Sequence, residues 1–397
     1  MRNKLKYLDW TILVPYLLLA SFGIIMVYSA SSDILLVNGF KANVYMVRQI
    51  IYFLAALIIF GIPAFFMRIK IFQNKNLISI FLLVSILMLL ALILLKVATH
   101  GKAAVNGAVG WINLGFINIQ PVEIAKLSLV LYLAYVLNKR DGQLIGGKLS
   151  QLGTKLWRPT LIAFIMMILV VMEPDFGGTA ILFMIVFVMY LVSGIPTKTA
   201  VTWLLVLVVG ILAVLFIVIN FEPAFMKNSY QLQRFLAFAH PFELERKDGA
   251  QLVNSYYAIH NGGLFGVGLG NSMQKRGYLP EPYTDFILSI VAEEFGVIGA
   301  SVVVGLLGFL IWRVMDVGIH ATTQFNALVC FGIATMIFTE TLFNVGAVLG
   351  LLPITGVTLP FISYGGSSMI VLTAGLGIVM NISANEKRLA KERSVVK

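Results

Sequence analysis

The chain has 397 residues, of which 59% are hydrophobic and only 12% are charged. These proportions exclude an ordinary soluble domain and indicate a protein that crosses a membrane several times. The formal net charge of +11 comes from basic residues scattered through loops, without a basic stripe that carries interleaved aromatic residues. It therefore points to anionic membrane lipids as partners and not to nucleic acid.

Apolar runs of about 20 residues predict ten transmembrane helices. The predicted spans are residues 10–30, 49–67, 77–96, 121–138, 158–173, 177–194, 199–220, 286–312, 323–349 and 366–384. The first follows a short basic N-terminus and has no small-residue cleavage site after it, so we expect a retained helix and not a signal peptide. The predicted fold class is an all-α polytopic membrane protein in which residues 1–397 form one domain.

The distribution of basic residues predicts the orientation of these spans. With both termini in the cytoplasm, most of the 29 lysines and arginines lie in the inner segments, as the positive-inside rule requires. Residues 385–397 then form a basic cytoplasmic tail, and residues 221–285 form a large extracytoplasmic loop. Long loops that mix aromatic and charged residues commonly carry function. Two shorter outer segments, 98–120 and 173–178, could face this loop over the helix bundle.

An acidic residue stands where the large loop runs into the eighth span. Asp285 has polar sequence before it and the apolar run that begins at Phe286 after it. A carboxylate with low dielectric on one side has a raised pKa, which suits a general base. The alternative is structural, because an acid at a helix N-terminus is favoured by the helix dipole and could cap the span together with Thr284. Glu293 and Glu294 follow on different faces, so the three acids form no obvious carboxylate pair.

A second pair of charged residues lies inside a predicted span. Glu123 and Lys126 are three residues apart in the fourth span, so they share a helix face and can form an ion pair. Charged residues within the membrane are costly and usually line a cavity. One interpretation is a structural contact between helices. The other is a cavity wall that holds an anionic or sugar-bearing head group through Lys126.

Two segments rich in glycine or proline interrupt the helical pattern. The run 262–270 contains closely spaced glycines, but it follows no predicted strand and lies outside the cytoplasm, so a nucleotide-binding loop is disfavoured. Flexible backbone beside a ligand, or close helix packing, accounts better for it. The segment 353–368 breaks the chain before the last span, as broken helices at membrane binding sites do. Ser367 and Ser368 lie in no Gly-x-Ser-x-Gly elbow, so serine hydrolase chemistry is also disfavoured.

Cysteine and histidine add no chemical signature. The single cysteine, Cys330, lies in an apolar run, which predicts a buried packing role and permits no intramolecular disulfide. The four histidines are too far apart in the sequence for a local metal-ligand pattern. The sequence therefore leaves the presence of a metal site unknown.

Several motifs taken together, in order on ten spans, resemble the SEDS family, which is named for shape, elongation, division and sporulation. The motifs are residues 28–31, 48–49, 110–112, 120–126, 173–177, Arg234, 262–287 and 353–368. Within the family, the run 268–275 followed by 278–281 is similar to division-type members and not to elongation-type members. Glu340 departs from the pattern, because the family often has a glutamine at this position of the ninth span.

The resemblance implies a peptidoglycan glycosyltransferase that polymerises lipid II into glycan strands, at the division septum of a bacterial cell membrane. It implies a class B penicillin-binding protein and other divisome proteins as partners, and it assigns the general base to Asp285. The reaction joins the 4-hydroxyl of N-acetylglucosamine to the anomeric carbon of N-acetylmuramic acid and expels undecaprenyl pyrophosphate. The site therefore needs a base and positive charge.

Seven further residues are predicted to bind the substrate. They are Trp111, Glu123, Lys126, Arg234, Gln274, Lys275 and Glu281. Lys126, Arg234 and Lys275 are candidates for pyrophosphate or carboxylate contacts, and a divalent cation, Mg or Mn, could share that work. Trp111 could stack on a sugar or act as an interfacial anchor. No organic cofactor is expected.

Three other functions stay open at the level of sequence. A transporter that flips lipid II would also have ten spans, a broken helix and an intramembrane ion pair. An acid at the outer mouth suits chemistry on a flipped head group, whereas a transporter should concentrate its essential charges near the midplane. An elongation-type polymerase and a non-catalytic divisome scaffold are the remaining alternatives.

Overall fold

Helices make up most of the structure, which is a computed structural model. It describes residues 2–98, 110–113, 118–140, 149–196, 198–199, 201–206, 209–210, 213, 230–245 and 249–396. The helices are α1 (Arg2–Leu5), α2 (Trp10–Val37), α3 (Val44–Ala55), α4 (Ile62–Phe66), α5 (Ile69–Phe72), α6 (Lys75–Ala98), α7 (Pro121–Asn138), α8 (Leu149–Met172), α9 (Phe176–Val192), α10 (Tyr230–Ala239), α11 (Ala250–Gly262), α12 (Ile287–Ile319), α13 (Gln324–Val348) and α14 (Gly366–Val396). A π-helical segment, Ala56–Gly61, joins α3 to α4.

Seven of the described helical segments are long and apolar enough to cross a membrane. They are Trp10–Val37, Val44–Phe66, Lys75–Ala98, Pro121–Asn138, Ile287–Ile319, Gln324–Val348 and Gly366–Ser394. Two shorter apolar helices, Leu156–Met172 and Phe176–Val192, correspond to the predicted fifth and sixth spans. The prediction of a polytopic helical membrane protein is therefore confirmed. Most of the predicted seventh span, 199–220, lies outside the described residues.

The first span is longer than predicted. The apolar run predicted a span that ends near residue 30, yet α2 continues through Ser31 and its polar neighbours to Val37. The hydroxyl of Ser31 donates to the carbonyl of Val27, 2.6 Å away, so its polarity is satisfied within the helix itself. The hydroxyl of Ser29 donates to the carboxylate of Glu294 in α12. Polar residues here make contacts inside the bundle and do not mark a helix end.

A small two-stranded sheet is the one described departure from an all-helical fold. Strands β1 (Ile112–Asn113) and β2 (Asn118–Ile119) pair antiparallel, with Ile112 opposite Ile119. The hydroxyl of Ser367, at the start of α14, donates to the carbonyl of Asn118 over 3.1 Å and accepts from the amide of Gln120 over 2.9 Å. The hairpin is thereby fixed beside the last span.

The bundle has a central group of helices and a lipid-facing periphery. Among the seven long spans, α14 is the most buried, and α7 and α13 follow it. The least buried are α6 and α12. A helix that buries little of its surface within the chain presents that surface to lipid or to another transmembrane helix.

The helix α12 is broken at Gly296. This glycine has φ 70° and ψ −179°, which interrupts the helical hydrogen bonding. The amides of Val267 and Gly268 donate to the carbonyls of Glu293 and Glu294, each over 3.0 Å, and the amide of Val297 donates to the carbonyl of Gly263 over 2.9 Å. The glycine-rich run therefore supplies the backbone partners that the broken turn lacks. Of the two interpretations of that run, close packing is the one observed.

Candidate active site

Asp285 precedes the N-cap residue of α12 and does not cap the helix. The N-cap position of this helix is Phe286, and no side chain makes a capping hydrogen bond there. The Asp285 side chain is only 9% exposed, although it lies outside the membrane-spanning part of the helix. The capping alternative is therefore wrong, and the carboxylate is available for another role.

The backbone around Asp285 is held by a neighbouring span. The side-chain amide of Asn344, in α13, donates to the carbonyl of Asp285 over 2.7 Å and to the carbonyl of Val357 over 2.9 Å. The hydroxyl of Thr284 lies 3.0 Å from Asp285 Oδ1 and 3.2 Å from Glu281 Oε2, and its single proton can serve one of them at a time. Glu281 therefore lies beside Asp285, as predicted for a residue of the same site.

A cation stands close to the Asp285 carboxylate. Arg234, in α10, donates from Nη1 to the carbonyl of Ile354 over 3.0 Å. Gly356 has φ +75°, and a β-carbon placed on it would lie 3.5 Å from Arg234 Nη1 and 4.0 Å from Asp285 Oδ2. The guanidinium and the carboxylate thus border the same small space, which a side chain at residue 356 would occupy.

Burial dominates the electrostatics of Asp285. Desolvation raises the pKa of its carboxyl to about 6, although the positive charge of Arg234 and the hydrogen bond from Thr284 lower it. The negative charge of Glu281 adds a smaller increase to the pKa of Asp285. A carboxylate with a pKa near 6 is ionised at neutral pH and is a stronger base than an ordinary aspartate.

The turn between α8 and α9 packs against the same region. Gly177 allows this approach, because a β-carbon there would lie 2.7 Å from Val357 Cγ2 and 3.1 Å from Thr355 Cβ. Asp175 accepts a hydrogen bond from the amide of Gly178 over 2.7 Å. Burial raises the pKa of Asp175, and the charges of Lys126 and Arg234 lower it. The turn therefore packs against the 353–357 segment, which was not among the elements predicted to face one another.

Lys126 is buried in a three-membered charge cluster. Its Nζ lies 2.8 Å from Glu123 Oε2 and also contacts Glu340 Oε1, and all three side chains are buried. The predicted ion pair within the fourth span is present, and Glu340 completes it from α13. The acid that departs from the family pattern is therefore accounted for as a second partner of the same lysine.

Two of the predicted substrate-binding residues lie away from Asp285. Lys275 is buried and donates from Nζ to Glu294 Oε1 over 2.8 Å, and the amide of Gln274 donates to Glu293 Oε2 over 3.2 Å. These acids follow Asp285 by eight and nine residues, which corresponds to roughly 12 Å along a helix axis. Trp111 is 40% exposed beside the β1 strand. The structure therefore groups Glu281, Arg234 and Asp285 and places Lys275 and Gln274 beside Glu294 and Glu293 instead.

A cluster of tyrosines supports the site from the side of α3. The ring centroid of Tyr45 lies 4.9 Å from that of Tyr283 and 4.8 Å from that of Tyr364. The amide of Tyr364 donates to the carbonyl of Tyr283 over 2.9 Å, two residues before Asp285. Sequence reasoning missed this cluster and Asn344, since aromatic residues near an interface and an asparagine in an apolar span have no local signature.

The described residues contain no group of side chains arranged as a metal site. Within the described ranges, no group of three or more histidine, cysteine, aspartate or glutamate side chains is placed to hold a metal ion. The expected divalent cation therefore stays a prediction, without a set of protein ligands to which it could be assigned.

Comparison with known proteins identifies the family. The model of the FtsW/RodA/SpoVE family, described as cell cycle protein, matches residues 9–388. The "Probable peptidoglycan glycosyltransferase FtsW" of Lactococcus lactis is 39% identical over 402 residues, which cover 97% of this chain and 94% of the relative. The protein of the same name from Bacillus subtilis is 39% identical over 388 residues, 96% of this chain and 92% of the relative.

A solved structure shows the same architecture. It belongs to a study of structural coordination of polymerization and crosslinking by a peptidoglycan synthase complex, and one of its chains is 26% identical with a TM-score of 0.75. The match covers 96% of this chain and 98% of that one. Together with the family match over nearly the whole length, it leads to one conclusion: the chain belongs to the FtsW/RodA/SpoVE family of cell cycle proteins.

Proposed function

We propose that this chain is a peptidoglycan glycosyltransferase that polymerises lipid II into glycan strands during cell division, with Asp285 as the general base. The names of the FtsW relatives support the reaction class. One observation carries the assignment of the base. The buried carboxylate of Asp285, whose pKa is raised to about 6 by burial, lies beside the guanidinium of Arg234 just before the start of α12. The working site is on the outer face of a multi-pass membrane protein with both termini in the cytoplasm.

In this mechanism Asp285 takes the proton from the 4-hydroxyl of the acceptor N-acetylglucosamine. The hydroxyl oxygen bonds to the anomeric carbon of the donor N-acetylmuramic acid, and the bond from that carbon to the pyrophosphate oxygen breaks. Undecaprenyl pyrophosphate leaves with the bonding electron pair, so negative charge grows on the phosphate during the reaction. Positive charge close to that oxygen lowers the barrier.

Of the predicted cations, Arg234 is better placed for this charge than Lys126. Lys126 already contacts the carboxylates of Glu123 and Glu340, so the three side chains together carry no net positive charge to offer a phosphate. Arg234 lies next to Asp285 and donates from Nη1 to the carbonyl of Ile354, which fixes its position at the site. Lys126 then acts as part of the bundle that supports the site.

A lipid II transporter is the second candidate, because the buried Glu123, Lys126 and Glu340 cluster lies inside two spans. The two functions separate in purified protein reconstituted in vesicles, with lipid II supplied on the outer face. A glycosyltransferase converts that lipid II into glycan strands without transfer across the bilayer. Transfer of lipid II without strand formation would replace this proposal by the transporter.

The proposed partner is the single transmembrane helix of a class B penicillin-binding protein, docked along α12, α13 and the outer loop. In support, α12 exposes Val302 at 63%, and a β-carbon at Gly305 or Gly308 would meet no atom within 4 Å, which leaves room for a close helix. Cysteine cross-linking to the partner's helix tests this, in a protein whose Cys330 is replaced. Cross-links at α2 to α6 alone would contradict the proposed surface.

A further inference from the structure

Two consecutive buried glutamates of α12 hold the segment that precedes Asp285. Glu293 is fully buried and Glu294 is 1% exposed. Three of the four donors to the Glu293 carboxylate are the Nδ2 of Asn261 at 3.3 Å and the amides of Met273 at 3.1 Å and Gln274 at 3.2 Å. The hydroxyl of Ser272 is the fourth. This carboxylate therefore binds the loop backbone directly.

Glu294 binds the next residue of the loop and a third element. The ammonium group of Lys275 donates to Glu294 Oε1 over 2.8 Å and to the hydroxyl of Ser29 over 3.0 Å. Ser29 in turn donates to Glu294 Oε1 over 2.6 Å. The ion pair thus ties the loop to α12 and to α2 at once, and all three side chains are buried.

The break of α12 at Gly296 places Glu294 near the end of the short helical segment that Asp285 precedes. The outer part of the helix, residues 287–295, carries Asp285 at its start and does not take its direction from the inner part. The end of this segment next to Gly296 is fixed instead by the contacts that Glu293 and Glu294 make with the loop. The loop between Lys275 and Asp285 starts from the same place, with the amide of Leu279 bonded to the carbonyl of Gln274 over 2.9 Å.

We infer that Lys275 and Glu294 are positioning residues for Asp285, and that Lys275 does not bind the pyrophosphate. A lysine that moved to the substrate would leave Glu294 buried without a counter-charge, which is strongly unfavourable. The inference rests on the proposed glycosyltransferase function, because positioning is judged by its effect on the base. It replaces the role that the sequence suggested for Lys275.

A charge reversal separates positioning from phosphate binding. Lys275→Met and Glu294→Gln should each lower kcat for lipid II polymerisation roughly tenfold or more, because misplacing a catalytic group is costly. KM should change little. The double variant Lys275→Glu with Glu294→Lys rebuilds the pair in reverse and should recover much of the lost kcat. A phosphate-binding lysine predicts the opposite, since a glutamate at residue 275 would repel the substrate and KM would rise.

The matched control is the neighbouring cation Arg276, which is 54% exposed and lies 3.8 Å from Asp33. An exposed pair at this distance contributes little, so Arg276→Met should leave kcat and KM unchanged. If Lys275→Met protein does not accumulate, the reversed pair, which keeps both charges, decides the matter. A reversed pair that is inactive but folded would overturn the inference.

A readout independent of catalysis separates this inference from the proposed function. Hydrogen–deuterium exchange of the backbone amides of Met273, Gln274 and Leu279 should be slow in the wild-type protein. It should rise in Lys275→Met and fall again in the reversed pair, whether or not the protein makes glycan strands. Unchanged exchange in Lys275→Met would show that the pair does not hold the loop. If neither the wild-type protein nor any variant makes glycan strands, but the exchange pattern is as expected, the result contradicts the proposed glycosyltransferase function and not the role of the pair in holding the loop.

Discussion

Replacing Arg234 by glutamine should make polymerisation more sensitive to acid. Asp285 works as a base in its ionised form, so activity is present above its pKa and is lost as the pH falls through about 6. Arg234 lowers the pKa of Asp285 by its positive charge. Its removal should raise that pKa, and the loss of activity should then begin at a higher pH than in the wild-type protein.

The size of this change follows from the geometry at Gly356. A β-carbon placed on Gly356 would lie 3.5 Å from Arg234 Nη1 and 4.0 Å from Asp285 Oδ2. These two atoms are therefore at most about 7.5 Å apart, the sum of the two distances. At an effective dielectric constant of about 20, unit charges roughly 7 Å apart interact by about 2 kcal/mol. That interaction corresponds to a rise of roughly 1.5 in the pKa of Asp285. The acidic midpoint should therefore move from about 6 to about 7.5.

The assay is the initial rate of glycan-strand formation from lipid II as a function of pH, in detergent-solubilised protein. Arg234→Lys is the matched control, because it keeps the charge and should keep the midpoint within about half a pH unit of the wild-type value. The maximum rate of Arg234→Gln should also fall, since a cation near the leaving phosphate is lost. A midpoint that stays at its wild-type value, or moves to lower pH, would refute the coupling between Arg234 and Asp285.

Two further predictions concern the bundle that supports the site. Lys126→Met should destabilise the protein by about 3–5 kcal/mol, because Glu123 and Glu340 would then be buried without a counter-charge. Glu340→Gln should cost less than about 1 kcal/mol, since a neutral pair of Glu123 and Lys126 remains; equal losses in thermal unfolding would contradict the cluster. Gly296→Ala should cost about 2 kcal/mol or more, because φ is 70° there and the added carbon would overlap the Leu264 carbonyl. Gly305→Ala, in open space within the same helix, should not lower the melting temperature.

Features of the structure that depend on residues close together in the sequence could be predicted from local patterns. Apolar run length predicted the spans that lie within the described residues, because the thickness of the bilayer fixes the length of a crossing helix. The spacing of Glu123 and Lys126 predicted their pair, since residues three apart share a helix face. The position of Asp285 at a boundary of polarity predicted partial burial. Its role as base, however, came from the family resemblance and is a proposal.

Contacts between distant residues could not be predicted in this way. Glu340 reaches Lys126 across 214 positions, and Lys275 reaches Ser29 across 246. Hydropathy also misses the break at Gly296, because a glycine hardly changes the apolar average of a long span. Lys275 illustrates this limit, because neither its ion pair with Glu294 nor its contact with Ser29 could be predicted from the loop sequence.

The most direct test of the central claim is glycan-strand synthesis from lipid II by purified wild-type and Asp285→Asn proteins, side by side at a pH above 7. Asparagine keeps the size of the side chain and removes its basicity, so the variant should fold, insert in the membrane and bind lipid II. We expect the wild-type protein to form strands and the variant to lose at least about a hundredfold in rate. Strand synthesis at the wild-type rate by Asp285→Asn protein would contradict the account.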